Sequence, residues 1–122
     1  MVRAQAKTAD DFNSICWALA TAGVFLEDAR RDCDKGIALE PDSFAIIDSL
    51  GLVLLRQGKF DEAIAAYDRA IAKNNNPTSR MGRSLAWAAK GDSLRAKADR
   101  DAANVLDRSI EDRFAEYGLK FE

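Results

Sequence analysis

The sequence contains no histidine among its 122 residues, which removes the commonest general base near neutral pH and the commonest zinc ligand. No apolar run approaches the roughly 18 residues needed to cross a bilayer. Charge is nearly balanced, with 18 basic and 20 acidic residues interleaved and a net charge of −2, so no broad attraction for nucleic acid or an anionic membrane surface is expected. Proline is scarce, at two residues, and the glycines do not form a phosphate-cradling loop: Gly23, Gly51, Gly58 and Gly91 fall at turns and helix crossings. The opening Met1 to Lys7 lacks the apolar stretch of an export signal. As given the chain reads as cytoplasmic, and as periplasmic if such a signal had been removed. Paired carboxylates at Asp10-Asp11 and Asp61-Glu62 stand at helix starts, where negative charge complements the exposed amide end, so they do not point to acid/base chemistry. These absences predict a non-enzyme with no catalytic residues, no metal and no cofactor.

What is present is helical patterning in a folded, alanine-rich chain of 48% hydrophobic residues. Ile47, Leu50 and Leu54 fall at helical spacing, Gly58 interrupts, and Ala63, Ile64, Tyr67, Ala70 and Ile71 resume a second stripe. Two amphipathic helices joined by a tight turn follow, with the small Gly51 and Ala63 expected where they cross. Upstream, Thr8 to Asp11 reads as a capping box opening a helix from Ala9 to Ala22, and a second helix runs from Leu26 to Leu39. Phe12, Ile15, Cys16 and Leu19 form the predicted buried stripe of the first. Pro41 bars continuation of the second and Asp42 is the expected cap of the third. Downstream, Asn76 caps and Pro77 opens a fifth helix to Lys90. Asp92 or Ser93 caps a sixth to about Asp107. Ser109 to Asp112 resembles another capping box, opening a short seventh helix to Tyr117 that Gly118 closes.

The central pair repeats. Gly58, Ala63 and Ala70 are echoed at one constant interval by Gly91, Ala96 and Ala103, with Ser84 at the position equivalent to Gly51. On the other side Gly23, Cys16 and Ala29 anticipate Gly58, Gly51 and Ala63, the first inter-helix turn being one residue longer. Three helix pairs result, the outer two degraded relative to the middle, as expected of terminal units that have one neighbour and one solvent face.

Ile47, Leu50, Gly51, Leu54, Gly58, Phe60, Ala63, Tyr67 and Ala70 match, offset for offset, the roughly 34-residue motif of the tetratricopeptide repeat. Only Asn75 departs, standing where that family usually has proline. The block from Asn13 to Pro41 resembles the opening repeat of bacterial members, several of which look exported. The resemblance implies an all-α fold: a right-handed superhelical stack of antiparallel helix pairs over 1–122, with repeats at about 9–42, 43–76 and 77–108 and a capping helix over 109–118. Phe114, Tyr117 and Leu119 would cover the open end of the stack. Arg100 stands where the family has a large apolar residue, which implies looser packing of the sixth helix.

The resemblance also implies a concave groove lined by the first helix of each repeat. Its positions carry over to Asn13, Trp17 and Ala20, then Asp48, Leu52, Leu55 and Arg56, then Met81, Leu85 and Ala88, a mostly apolar strip with one acid and one base near its middle. The chaperone-tail clamp of some members falls at Asn13, Trp17, Ser49, Thr78 and Gly82 and is absent. The expected role is a protein-interaction scaffold or adaptor holding a partner's peptide or helix in this groove, with Leu52→Glu or Met81→Glu abolishing capture while sparing helicity. The alternative is a self-associating module assembling as a homo-oligomer, with no nucleic-acid or membrane partner in either case. Cys16 and Cys33 fall on paired helices of the first repeat, facing its core; they read either as a disulfide or as two small buried apolar residues.

Overall fold

The computed structural model describes residues 5–121. Among them seven helices follow in order: α1 (Ala9–Ala22), α2 (Leu26–Leu39), α3 (Phe44–Arg56), α4 (Phe60–Lys73), α5 (Pro77–Ala89), α6 (Ser93–Leu106) and α7 (Ile110–Glu116). The boundaries are chemical. Thr8 Oγ1 accepts from the Asp11 amide at 3.1 Å, and the Asp11 carboxylate accepts in return from the amides of Lys7 and Thr8; these bonds hold the Asp11 pKa below the usual carboxylate range. Asn76 Oδ1 accepts from the Ser79 amide ahead of Pro77 at the first position of α5, and Asp92 caps α6.

Two expected caps differ. Ser43, not Asp42, precedes α3, and Asp42 instead pairs with Lys73 at 2.9 Å. Ser109 does not cap α7. Asp107 accepts from both its amide and its hydroxyl, closing a local turn that takes up the side chain.

Consecutive helices pack as the pairs α1/α2, α3/α4 and α5/α6, and the odd-numbered helices pack side by side along one face. The central helix α3 is the spine, buried without interruption from Ile46 to Leu55. Four other helices surround it, so it has no solvent stripe. The fully buried Tyr67 of α4 inserts its ring between α3 and α5. Glycine is required on both sides of that ring. A Cβ on Gly51 would stand 2.6 Å from Tyr67 Cε1, and one on Gly82 2.2 Å from Tyr67 Cζ. Gly51 thus lies at a close approach as its size predicts, with the Tyr67 ring against it and Gly82 on the ring's other side.

A second, smaller core gathers Met81, Ala103, Ile110 and Phe114 where α7 closes the stack. Alanine contacts leave α6 thin, and ion pairs supplement them. Asp99, buried on α6, accepts from Arg83 at 2.7 and 2.8 Å and from Arg80 at 3.0 Å. Arg100 forms a two-pronged pair with Glu111 of α7 at 2.7 and 2.6 Å, so the residue that departs from the repeat pattern ties α6 to the cap.

Of the two readings of the cysteines, the structure selects the bridge: Cys16 and Cys33 are joined between α1 and α2, with Cα atoms 5.5 Å apart and both side chains fully buried. No helix among the described residues is long and apolar enough to cross a membrane.

Candidate functional site

The face shared by α1, α3 and α5 divides into two halves. At the N-terminal ends of these helices lies an open cleft of about 260 Å³, walled by Asn13 and Trp17 of α1, Phe44, Ala45, Asp48 and Ser49 of α3, and Thr78 of α5. Apolar ring surface comes from Trp17 and Phe44, both half-buried. Polarity comes from the residues between them. Ser49 Oγ shares its one proton between Asn13 Oδ1 at 2.6 Å and the Ala45 carbonyl at 3.1 Å, and the Asn13 amide nitrogen stands on the cleft wall without a hydrogen-bond partner among the described residues.

Asp48 forms the cleft's floor at 7% exposure. Ser79 Oγ donates to one of its oxygens at 2.7 Å, and Thr78 Oγ1, 2.7 Å from Asn76 Oδ1, shares its proton with the other at 3.2 Å. Burial raises the Asp48 pKa to about 6, and the two hydroxyls only partly offset this. Burial first, and the neighbouring Asp48 charge second, push the Tyr67 phenol well above its ordinary value. The carboxylate thus ties α3 to the first turn of α5 and holds the cleft's two walls in register.

The C-terminal half of the face is filled by the chain itself. Beyond α7, Tyr117 meets the Trp17 ring edge-on at 6.1 Å between centroids. Its carbonyl accepts from Arg56 Nη2. Leu119 packs against both cores, and Phe121 lies beside Leu85, Ala88 and Ala89 with the Arg100 guanidinium 4.1 Å from its ring centre. Arg56 also donates to the carbonyls of Ala20 at 3.0 Å and Thr21 at 2.7 Å, the last turn of α1. Burial pulls its pKa down. A larger hollow of about 470 Å³ opens on the far flank of Phe121, between α5 and α6.

The residues expected to line a groove are therefore distributed unequally. Asn13, Trp17 and Asp48 meet at the open cleft, while Arg56 and Leu85 lie under the C-terminal segment. Leu52, Leu55 and Met81 are interior, Leu52 at 1% and Met81 at 0% exposure, Met81 within the small core under α7. A glutamate at Leu52 or Met81 would be buried without a partner, so neither substitution would spare the fold as expected. Phe44, Ser79 and residues 117–121 are not among the groove positions that the sequence predicts, and Thr78 stands among them only as a position of the absent clamp. For residues 117–121, the sequence signal is the alternation Tyr117, Leu119, Phe121 on either side of the turn glycine Gly118.

Comparison with known proteins agrees with this architecture. Residues 49–108 match the family described as tetratricopeptide repeat. The crystal structure of the type III secretion translocator chaperone SycD of Yersinia enterocolitica, in an alternative dimer, superposes with a TM-score of 0.75 over 97% of both chains at 16% identity. No curated protein matches in sequence.

Proposed function

The chain is a tetratricopeptide-repeat protein, and from that premise we propose that it is a non-enzymatic adaptor that holds a peptide segment of another protein against the face of α1, α3 and α5. The observation that carries this reading is the open cleft: Trp17 and Phe44 offer ring faces while Asn13 offers an unused donor, over a floor braced by Asp48, Thr78 and Ser79. Half-exposed aromatics beside a spare donor suit an extended chain, whose side chains need apolar surface and whose carbonyls need donors. Pre-ordered helices also lower the entropy cost of binding. The chaperone likeness of the superposed SycD fold is consistent with client binding as the kind of task. The internal Cys16–Cys33 bridge suits work in an oxidising compartment.

Selection of displayed peptides against the full chain tests the reading. Peptides should be recovered whose affinity falls at least tenfold in Trp17→Ala and in Asn13→Ala, with helicity unchanged and with Leu94→Ala, on α6, as a neutral control. Recovery of none, or binding indifferent to Trp17→Ala, would sink it.

Self-association is the second reading, and Phe25 favours it. This aromatic sits on the turn between α1 and α2 at 71% exposure, beside the exposed Val24. The superposed SycD was itself crystallised as a dimer.

A further inference from the structure

We infer that the open cleft seats a basic side chain of the partner, a lysine or an arginine, with its stem along the rings of Trp17 and Phe44 and its charged head on the Asp48 carboxylate. This inference rests on the adaptor reading above and names the chemistry that its ligand must carry. Two groups that attract a cation, a ring face and an opposite charge, are offered together in one hollow of about 260 Å³.

Two buried carboxylates are treated differently by the chain. Asp99, at 3% exposure, is neutralised from within by Arg80 and Arg83. Asp48, at 7%, accepts from the hydroxyls of Thr78 and Ser79, and no cation pairs with it among the described residues. The elements packed around it present Asn13 and Trp17 of α1, the Tyr67 phenol of α4, and Thr78 and Ser79 of α5, none of them a cation. Two hydroxyls do not by themselves call for a charge. A neutral acceptor such as asparagine would serve them without the cost of burying a carboxylate. Asp48 nonetheless carries its charge at neutral pH, since burial raises its pKa only to about 6.

The rings repeat the contrast. Phe12, Trp87 and Phe121 each have a cation of this chain over them, Lys35, Arg95 and Arg100, at 5.7, 4.8 and 4.1 Å from the ring centre. Trp17 and Phe44, both half-buried, have none among the described residues. An anion and two rings that lack a cation, lining the same hollow, are complementary to a cation from outside. Lysine and arginine suit the seat because their stems lie along apolar surface while their heads reach the charge. The Asn13 amide nitrogen on the same wall is then free to donate to a main-chain carbonyl of the partner.

The test titrates N-acetyl-lysine N-methylamide into the isotopically labelled full chain near neutral pH, followed by NMR shifts of amide and indole N–H groups. Its norleucine counterpart, which keeps the stem and lacks the ammonium, is titrated in parallel. The lysine compound should shift the amides of Thr78 and Ser79 and the Trp17 indole with a Kd on the order of millimolar, and should bind about tenfold more tightly than the norleucine compound. Asp48→Asn, which keeps an acceptor for the hydroxyls, should erase that difference. If this variant loses helicity, Phe44→Leu replaces it, and should weaken the lysine compound about threefold while leaving the norleucine compound unchanged. Equal binding of the two compounds, binding of neither, or a lysine preference that survives Asp48→Asn in a folded chain overturns the inference. The adaptor reading is separable from it. A displayed peptide lost in Trp17→Ala that keeps its affinity when each of its lysines and arginines becomes norleucine leaves the adaptor standing and removes the basic seat. Asp48-dependent lysine binding with no displayed peptide recovered upholds the seat and removes the adaptor.

Discussion

Asp48 concentrates the electrostatics of this molecule in one residue. It is a carboxylate under a cleft, braced by two hydroxyls at the start of α5, with its pKa raised from 3.8 to about 6 chiefly by burial. A raised acid pKa means that the folded state holds the proton more tightly than the unfolded chain does. The associated stability is therefore fully present below the unfolded value and is lost as pH rises through about 6. Asp11, Asp42, Asp107 and Glu111, all with lowered values, act oppositely, and their contribution is lost only as pH falls through their folded-state values, below the ordinary carboxylate range. Between pH 7 and 5 the Asp48 effect should dominate, and linkage gives a gain in unfolding free energy of about 1.3 kcal/mol. Urea titrations at the two pH values should find that gain in the parent and lose it in Asp48→Asn; an equal gain in the variant would assign it elsewhere. Because Asp48 also fixes the cleft walls, the same pH range should tune peptide affinity.

At the scale of elements, the first helix pair depends on a covalent link that the other two lack. Its interior is small, with Cys16, Ala20, Ala29 and Cys33 as buried apolar residues, whereas α3 and α4 close on Leu54, Ile64 and Tyr67. The bridge spans a sequence separation of 17, and restricting the unfolded chain over such a loop is worth about 3 kcal/mol. Reduction should lower stability by about that amount, read as the urea midpoint of the chain with and without reductant. A midpoint unmoved by complete reduction would show that packing alone holds α1 to α2.

Helix limits and pairing were legible in the sequence because spacing, caps and turn glycines are local signals; Thr8, Asn76 and Asp92 cap as their types predict. Failures arose where two neighbours compete, as with Asp42 and Ser43, since the choice depends on Lys73 far along the chain. Burial was less legible. Leu52 and Met81 have the spacing of groove residues, but periodicity records only that a position is apolar, not what lies over it: the main core encloses Leu52, and the small core under α7 encloses Met81. The seat of residues 117–121 on the α1/α3/α5 face is a long-range contact of the same kind. Its pattern is visible, while its address is not.

At the scale of the whole molecule, apolar surface remains uncovered at the turn after α1, with Val24 and Phe25, and on α6, with Leu94 and Val105 at 83% and 86% exposure. Scattered exposed apolar residues need no explanation. Phe25 differs because it is also the one non-glycine residue among the described residues with a positive φ, at 50°. A bulky residue there carries backbone strain of roughly 1 kcal/mol or more, with an exposed ring and no cap hydrogen bond to α2 in return. Asparagine tolerates the left-handed conformation and can cap the helix that follows. Phe25→Asn should therefore stabilise the isolated chain by about 1 kcal/mol. If Phe25 is a contact between copies, the same substitution should weaken self-association, so that light scattering over a concentration series shows a dimer for the parent and a monomer for a more stable variant. Gain of stability with loss of assembly would identify the strained aromatic as an interface residue. A parent that is monomeric at every concentration would eliminate self-association and leave the face of α1, α3 and α5 as the working surface.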